Sequence, residues 1–221
     1  MSREVRITPS ILNADQSNLE LEIERVSHVS DLIHLDIMDN VFVPNFTYDF
    51  DRASTLIARC SIPVDAHLMV IDADRIGPEY AQAGCGSVTI HAEATVDISS
   101  TLRSIRAEGS RSGLAVKPKT EITDYAEFSD LVDMFLIMTV EPGFGGQSFM
   151  MDMIGKIERA RAMIGSRPIW LQVDGGISET TIEIATEAGA DTFVAGSAVF
   201  RSQDPASIVE KLRHLANSVA D

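Results

Sequence analysis

Residues 31–40 read DLIHLDIMDN, and the fold turns on how this stretch is understood. Leu32, Ile33, Leu35 and Ile37 make a short apolar run of strand type, but His34, Asp36 and Met38 fall on the alternate positions between them. Successive side chains of a strand point to opposite faces, so these three share one face. Burying an imidazole and a carboxylate without partners is costly. A strand that carries both must turn one face to a core and the other to further polar groups.

The same arrangement recurs outward from this stretch. PVDAHLMV (63–70) puts Asp65, His67 and Met69 on one face, and IWLQVDGG (169–176) does so for Trp170, Gln172 and Asp174. Near the N-terminus Thr8 and Ser10 are paired in the same way. Further strand-like runs are VRITPSIL (5–12), GSVTIHA (86–92), SGLAVK (112–117), DMFLIMTV (133–140) and DTFVAG (191–196). Between them the spacing of apolar residues predicts helices over 18–27, 76–83, 98–107, 154–164 and 180–188. Several of these segments close on Gly, as in AQAGCG, RAEGSR and TEAGAD, where a left-handed residue ends a helix before the next strand.

Eight strands alternating with helical segments predict an α/β chain of parallel units. Over 221 residues this fits a single (β/α)8 barrel, the TIM barrel, as one domain spanning 1–221. The competing doubly wound open sheet would open with a Gly-rich turn after its first strand, and ITPSILNAD (7–15) has none. In a barrel the polar residues above fall at or near the C-terminal ends of strands, the face where chemistry collects.

Composition narrows the function. The net charge of -15 disfavours nucleic acid and anionic membrane as partners, so an anionic ligand needs local positive features. Two cysteines without a CxxC spacing suit buried thiols in a reducing compartment. MSREVRITPS is too polar for a signal peptide and no run is long enough to span a membrane, so the expectation is a cytoplasmic protein.

His34, Asp36, His67 and Asp174 form a candidate four-ligand site for one divalent cation, with zinc, iron, manganese and cobalt all compatible. The loop TVEPGFGGQSF (139–149) lacks both the Lys-Ser/Thr of a P-loop and a complete GxGxxG. Its Gly143, Gly145 and Gly146 leave a flexible segment whose amides can close over an anion. DGGIS (174–178) and AGSAVF (195–200) place further glycines where helices begin, after strands seven and eight. Gly146, Gly176, Gly196 and Ser197 are the phosphate candidates, with Gly175 beside them. Met38, Met69 and Met138 are read as core filler or as an apolar collar around the reacting atoms.

The segments PSILNAD, HLDIMD, FVPNFT, DAHLMV, TIHAEA, EPGFGGQSF, VDGGI and AGSAVF, from Pro9 to Phe200, resemble in order and spacing those of the ribulose-phosphate 3-epimerase family. That resemblance implies a metal-dependent barrel interconverting D-ribulose 5-phosphate and D-xylulose 5-phosphate in the pentose phosphate pathway. It implies that His34, Asp36, His67 and Asp174 hold the metal, and that Asp36 and Asp174 are the acid/base pair. Ser10, His67 and Asp174 are implied to contact substrate, and a homo-oligomer is expected. A six-carbon ketose phosphate such as D-allulose 6-phosphate is the alternative substrate, because residues 40–51 depart from the family's pattern. There Asn40 and Val41 stand where the family usually has Gly and His, and NFTYDFD replaces a Gly-Pro-like turn. A third departure is MMDM (150–153) in place of a Pro-containing turn. His91 is read either as facing the site or as a structural histidine, and Lys117 as a substrate contact or a surface ion pair.

Overall fold

In the computed structural model, which describes residues 4–220, the strand and helix signals resolve into a ring of parallel strands wrapped by helices. Residues 1–3 and 221 of the expected domain lie outside the described residues. In chain order the elements are β1 (Arg6–Pro9), α1 (Leu19–Ser27), β2 (Ile33–Met38), α2 (Phe50–Arg59), β3 (Val64–Met69) and α3 (Ala73–Gln82). They continue with β4 (Ser87–His91), α4 (Ile98–Ala107), β5 (Arg111–Val116), β6 (Met134–Met138) and α5 (Ile154–Ile164). The chain then completes β7 (Trp170–Asp174), α6 (Ile182–Glu187), β8 (Thr192–Ala195), α7 (Ser197–Phe200) and α8 (Pro205–Val219).

Each strand pairs in parallel with its sequence neighbour from β2 through β8, and β8 pairs with β1. A parallel bridge between Ser10 and His34 joins β1 to β2 and brings the sheet round on itself. The sequence therefore yields the (β/α)8 barrel it predicts. The fifth crossover differs: Ile122–Asp130 is a 3-10 segment kinked at Tyr125. The glycines expected to end helices do so, with Gly84, Gly109 and Gly189 at φ 99, 92 and 116 just past α3, α4 and α6.

The ring has an apolar outside and a largely polar inside, broken along β5 and β6 by a small apolar cluster of Ala115, Leu136 and Met138. From β2, Ile33, Leu35 and Ile37 join Ile23 and Val26 of α1 and Ala53, Leu56 and Ile57 of α2 in the main core. Full burial of each large aliphatic side chain contributes roughly 1.5–3 kcal/mol. Barrel interiors are usually filled by branched apolar residues. Here the alternate positions place Thr8, His34, Asp65, Ser87, Thr89, Gln172 and Thr192 inside, all with 0–1% exposure. Asp65 is the hub: it accepts from His34 Nδ1 at 2.8 Å, Ser87 Oγ at 2.5 Å and Gln172 Nε2 at 2.7 Å.

Candidate active site and metal centre

Register brings the ligand candidates together. In the β2–β3 pairing His34 lies beside Asp65, Asp36 beside His67 and Met38 beside Met69. Across the ring, Asp174 ends β7 next to Met138 of β6. One atom from each of His34, Asp36, His67 and Asp174 lies within 4.8 Å of all the others. His34 Nε2 is 3.4 Å from Asp36 Oδ1 and 3.8 Å from Asp174 Oδ2. His67 Nδ1 is 3.2 Å and 3.4 Å from the same two oxygens. A tetrahedral cation with bonds of ~2.0–2.1 Å has ligand–ligand edges of about 3.3–3.4 Å, so the spacing fits.

The donor chemistry fits as well. His34 is buried and gives its Nδ1 to Asp65, and its Nε2 has no hydrogen-bond partner. A carboxylate behind a ligating imidazole fixes the tautomer that turns the other nitrogen's lone pair to the metal. Asp36 is held from behind too, its Oδ2 accepting from Ser10 Oγ at 2.6 Å.

The electrostatics are those of a cation-seeking pocket. Burial opposes a charged His34, yet the carboxylates of Asp36 and Asp65 hold its pKa well above the ordinary 6.5. Burial likewise opposes charge on His67, and Asp174 and Asp36 together raise its pKa. Asp36 moves the other way: burial resists its ionisation, but His34 and then His67 bring its pKa far below the ordinary carboxylate value. Positive charge, as protons or as a divalent ion, is what these two carboxylates favour.

A pocket opens directly above. Of the sequence candidates, Ser10, Asp36, Gly143, Gly145, Gly146, Asp174, Gly175, Gly176, Gly196 and Ser197 all line it. His34 and His67 do not: both are fully buried behind the carboxylates. The three methionines Met38, Met69 and Met138 are buried in two small apolar clusters, as filler would be, and also line the same pocket. Lys117 is not among the residues that line the pocket, and its Nζ sits 3.6 Å from the centre of the Phe42 ring.

Gly176 shows why the turn after β7 needs glycine. Its φ is +68, and a Cβ there would sit 2.2 Å from the backbone nitrogen of Phe149. Two residues of this end were not singled out in the sequence. Asn13 packs its carboxamide where a Cβ at Gly145 or Gly196 would lie, at 2.4 Å and 2.7 Å. The Arg201 guanidinium stands 3.1 Å from the corresponding position at Gly146. Asn13 lies within the quoted segment PSILNAD but carries no charge and follows the strand rather than ending it, and Arg201 lies just past the last quoted segment. Asn40, by contrast, explains a departure noted in the sequence. It has φ 59, a left-handed conformation that Asn tolerates better than most residues, so the turn survives without Gly.

Fold and site together define a (β/α)8 barrel with a candidate metal centre at its strand ends, facing a glycine-lined pocket. The sequence pattern of the ribulose-phosphate 3 epimerase family matches residues 6–200. The chain is 44% identical over 216 residues to the ribulose-phosphate 3-epimerase of Mycobacterium tuberculosis, covering 97% of this chain and 94% of that one. It is 36% identical over 213 residues to the Bacillus subtilis enzyme of the same name, covering 95% and 98%. The chain belongs to the ribulose-phosphate 3-epimerase family. Among solved structures, 3-hexulose-6-phosphate synthase from Salmonella typhimurium has the same fold, with a TM-score of 0.71 at 17% identity over 97% of this chain and 100% of that one. Orotidine 5'-phosphate decarboxylase from Pyrococcus horikoshii superposes with a TM-score of 0.66 at 13% identity, covering 95% and 98%.

Proposed function

We propose that this chain interconverts D-ribulose 5-phosphate and D-xylulose 5-phosphate by moving a proton at the third carbon, with Asp36 and Asp174 as the acid/base pair. The observation that carries the reading is that both carboxylates line one pocket from separate strands, β2 and β7, while each also faces the two imidazoles. Inversion needs a base on one side of the carbon plane and an acid on the other, and two acids on different barrel walls meet that need. Each positioned proton-transfer group contributes roughly 10²- to 10⁴-fold.

His34 Nε2, His67 Nδ1, Asp36 Oδ1 and Asp174 Oδ2 would hold one divalent cation, zinc, iron, manganese or cobalt. Such an ion supplies Lewis-acid stabilisation of the negative charge that builds on the substrate's carbonyl oxygen. Ser10 holds the second oxygen of Asp36 and so orients the carboxylate toward the pocket. Met38, Met69 and Met138 exclude water from the reacting carbon with polarisable, apolar side chains. At the far end, the backbone around Gly146, Gly176, Gly196 and Ser197 receives the phosphate, and Arg201 stands over Gly146 as the nearby cation. Local groups of this kind are what an anion requires on a chain of charge -15.

The named relatives favour the five-carbon substrate over the six-carbon alternative. A homo-oligomer is supported by exposed Val41, Phe46 and Ile71, gathered around Asp39: its carboxylate accepts from the Val41 and Ile71 backbone N–H groups, and it faces Phe46 across an antiparallel bridge. No helix among the described residues is long and apolar enough to cross a membrane, and free Cys60 and Cys85 suit a cytoplasmic setting.

The test is solvent deuterium incorporation at the third carbon of ribulose 5-phosphate, measured with and without chelator. Asp36→Asn and Asp174→Asn should each lower turnover by about 10²- to 10⁴-fold while the circular dichroism spectrum is kept. Near-normal turnover in either variant ends the two-acid scheme.

A further inference from the structure

His91 and Glu93 do not line the pocket, yet an unbroken line of contacts joins them to the ligand cluster. His67 Nε2 lies 2.9 Å from His91 Nε2, and both rings are fully buried. His91 Nδ1 lies 3.1 Å from Glu93 Oε2. Glu93 is itself anchored, its Oε1 accepting the Lys117 backbone N–H at 2.7 Å. The Phe42 ring closes the outer side, 4.8 Å from the His91 ring, and Lys117 Nζ caps that phenyl.

The protons in this line follow from the outside inward. A carboxylate only accepts, so His91 Nδ1 must carry the hydrogen that meets Glu93. With that proton on Nδ1, an uncharged His91 presents a lone pair at Nε2. Only one hydrogen fits between the two facing nitrogens, so it belongs to His67 Nε2. Without metal, His67 Nδ1 carries a second hydrogen toward Asp36 Oδ1 at 3.2 Å, and this is the one a cation displaces, leaving the lone pair of a neutral His67 on Nδ1, the nitrogen that faces Asp36 and Asp174. His34 reaches the same condition by a shorter route, with Asp65 directly against its Nδ1.

We propose that Glu93, acting through His91, is a positioning group that fixes the tautomer of His67 and so aims its Nδ1 lone pair at a divalent cation. The ligand set is thus backed by a carboxylate on both imidazole arms, directly behind one and one ring removed on the other. Outer-shell partners of metal ligands are typically worth about 10–100-fold in affinity.

The proposal rests on the metal reading above, but its test reads ring protons and zinc affinity, which stay informative whatever the substrate proves to be. In zinc-loaded protein with ¹⁵N-labelled histidine, long-range proton–nitrogen spectra should show hydrogen on Nε2 of His67 and on Nδ1 of His91. In a competition titration against a chromophoric chelator, Glu93→Ala and His91→Phe should bind zinc about 10–100-fold more weakly. His91→Gln, whose amide oxygen can accept from His67 Nε2, should recover most of the loss. A proton on Nδ1 of His67 in the wild-type zinc form, or wild-type zinc affinity in Glu93→Ala, overturns the proposal. The Glu93→Ala and wild-type measurements decide it even if His91→Phe does not fold.

Discussion

Asp65 takes hydrogen bonds from three side chains inside the barrel, those of His34, Ser87 and Gln172. Burial alone would raise its pKa, but the His34 ring and the Ser87 and Gln172 donors bring it below the ordinary value, so it is held as a carboxylate. Asp65→Asn replaces one acceptor oxygen with an N–H2 that must face one of those donors. Breaking a buried charged contact by altering one partner costs roughly 3–5 kcal/mol. The expected outcome is a fall of that size in the unfolding free energy, read from a lower urea midpoint, together with weaker zinc binding, because His34 loses the partner that sets its tautomer. An unchanged midpoint would show that Asp65 is a spectator. The sequence placed Asp65 on one face with His67 but gave it no task. Its task comes from Gln172, 107 residues away, which meets it only once the ring has closed. His34, Asp36, His67 and Asp174 were legible because each breaks an apolar strand with a group that needs a partner. Asn13 ends a short 3-10 helix and Arg201 caps α7, places where polar residues are ordinary, so nothing set them apart.

At the scale of elements, the strands were easier to read than the helices that cover them. A strand that is apolar on one face and carries ionisable groups on the other must lie between a core and a polar site. The α2 segment, absent from the helices that the spacing predicts, has apolar Ala53, Leu56 and Ile57 at helical spacing behind an Asp49 cap. The 3-10 crossover after β5 gave no helical period, in keeping with its kink at Tyr125. The turn from β7 toward α6 carries a prediction. Gly176→Ala puts a side chain into a left-handed backbone, a strain of roughly 1–3 kcal/mol, and drives its Cβ against the Phe149 backbone. The loop carrying Phe149 must move, and with it the amides assigned to phosphate. Steady-state kinetics should show a KM for ribulose 5-phosphate raised about tenfold or more, the equivalent of about 1.4 kcal/mol, with a smaller change in kcat. An unaltered KM would place the phosphate elsewhere.

For the whole molecule, the cation site couples folding, metal and pH. A ligand that binds the folded chain alone at 100 times its Kd adds about 2.7 kcal/mol of stability. In a chain of this length that is worth about 5–10 °C in Tm. Metal-free His34 and His67 have pKa values raised above 6.5, so the stability they contribute is fully present below that pH and is lost as pH rises through the raised values. A metal must displace those same protons, so its affinity strengthens over the same rise. The two effects act in one direction: between about pH 6 and pH 8 the gap in Tm between zinc-loaded and chelated protein should widen. Burial pushes the His91 pKa down to about 4, so its stability contribution is full above 6.5 and lost as pH falls toward 4. That loss falls below pH 6.5, so most of the window from about pH 6 to pH 8 lies outside it. Differential scanning fluorimetry across that pH range therefore isolates the two imidazoles that face Asp36 and Asp174. A gap that stays flat or narrows as pH rises would mean that these histidines do not give up protons to a metal.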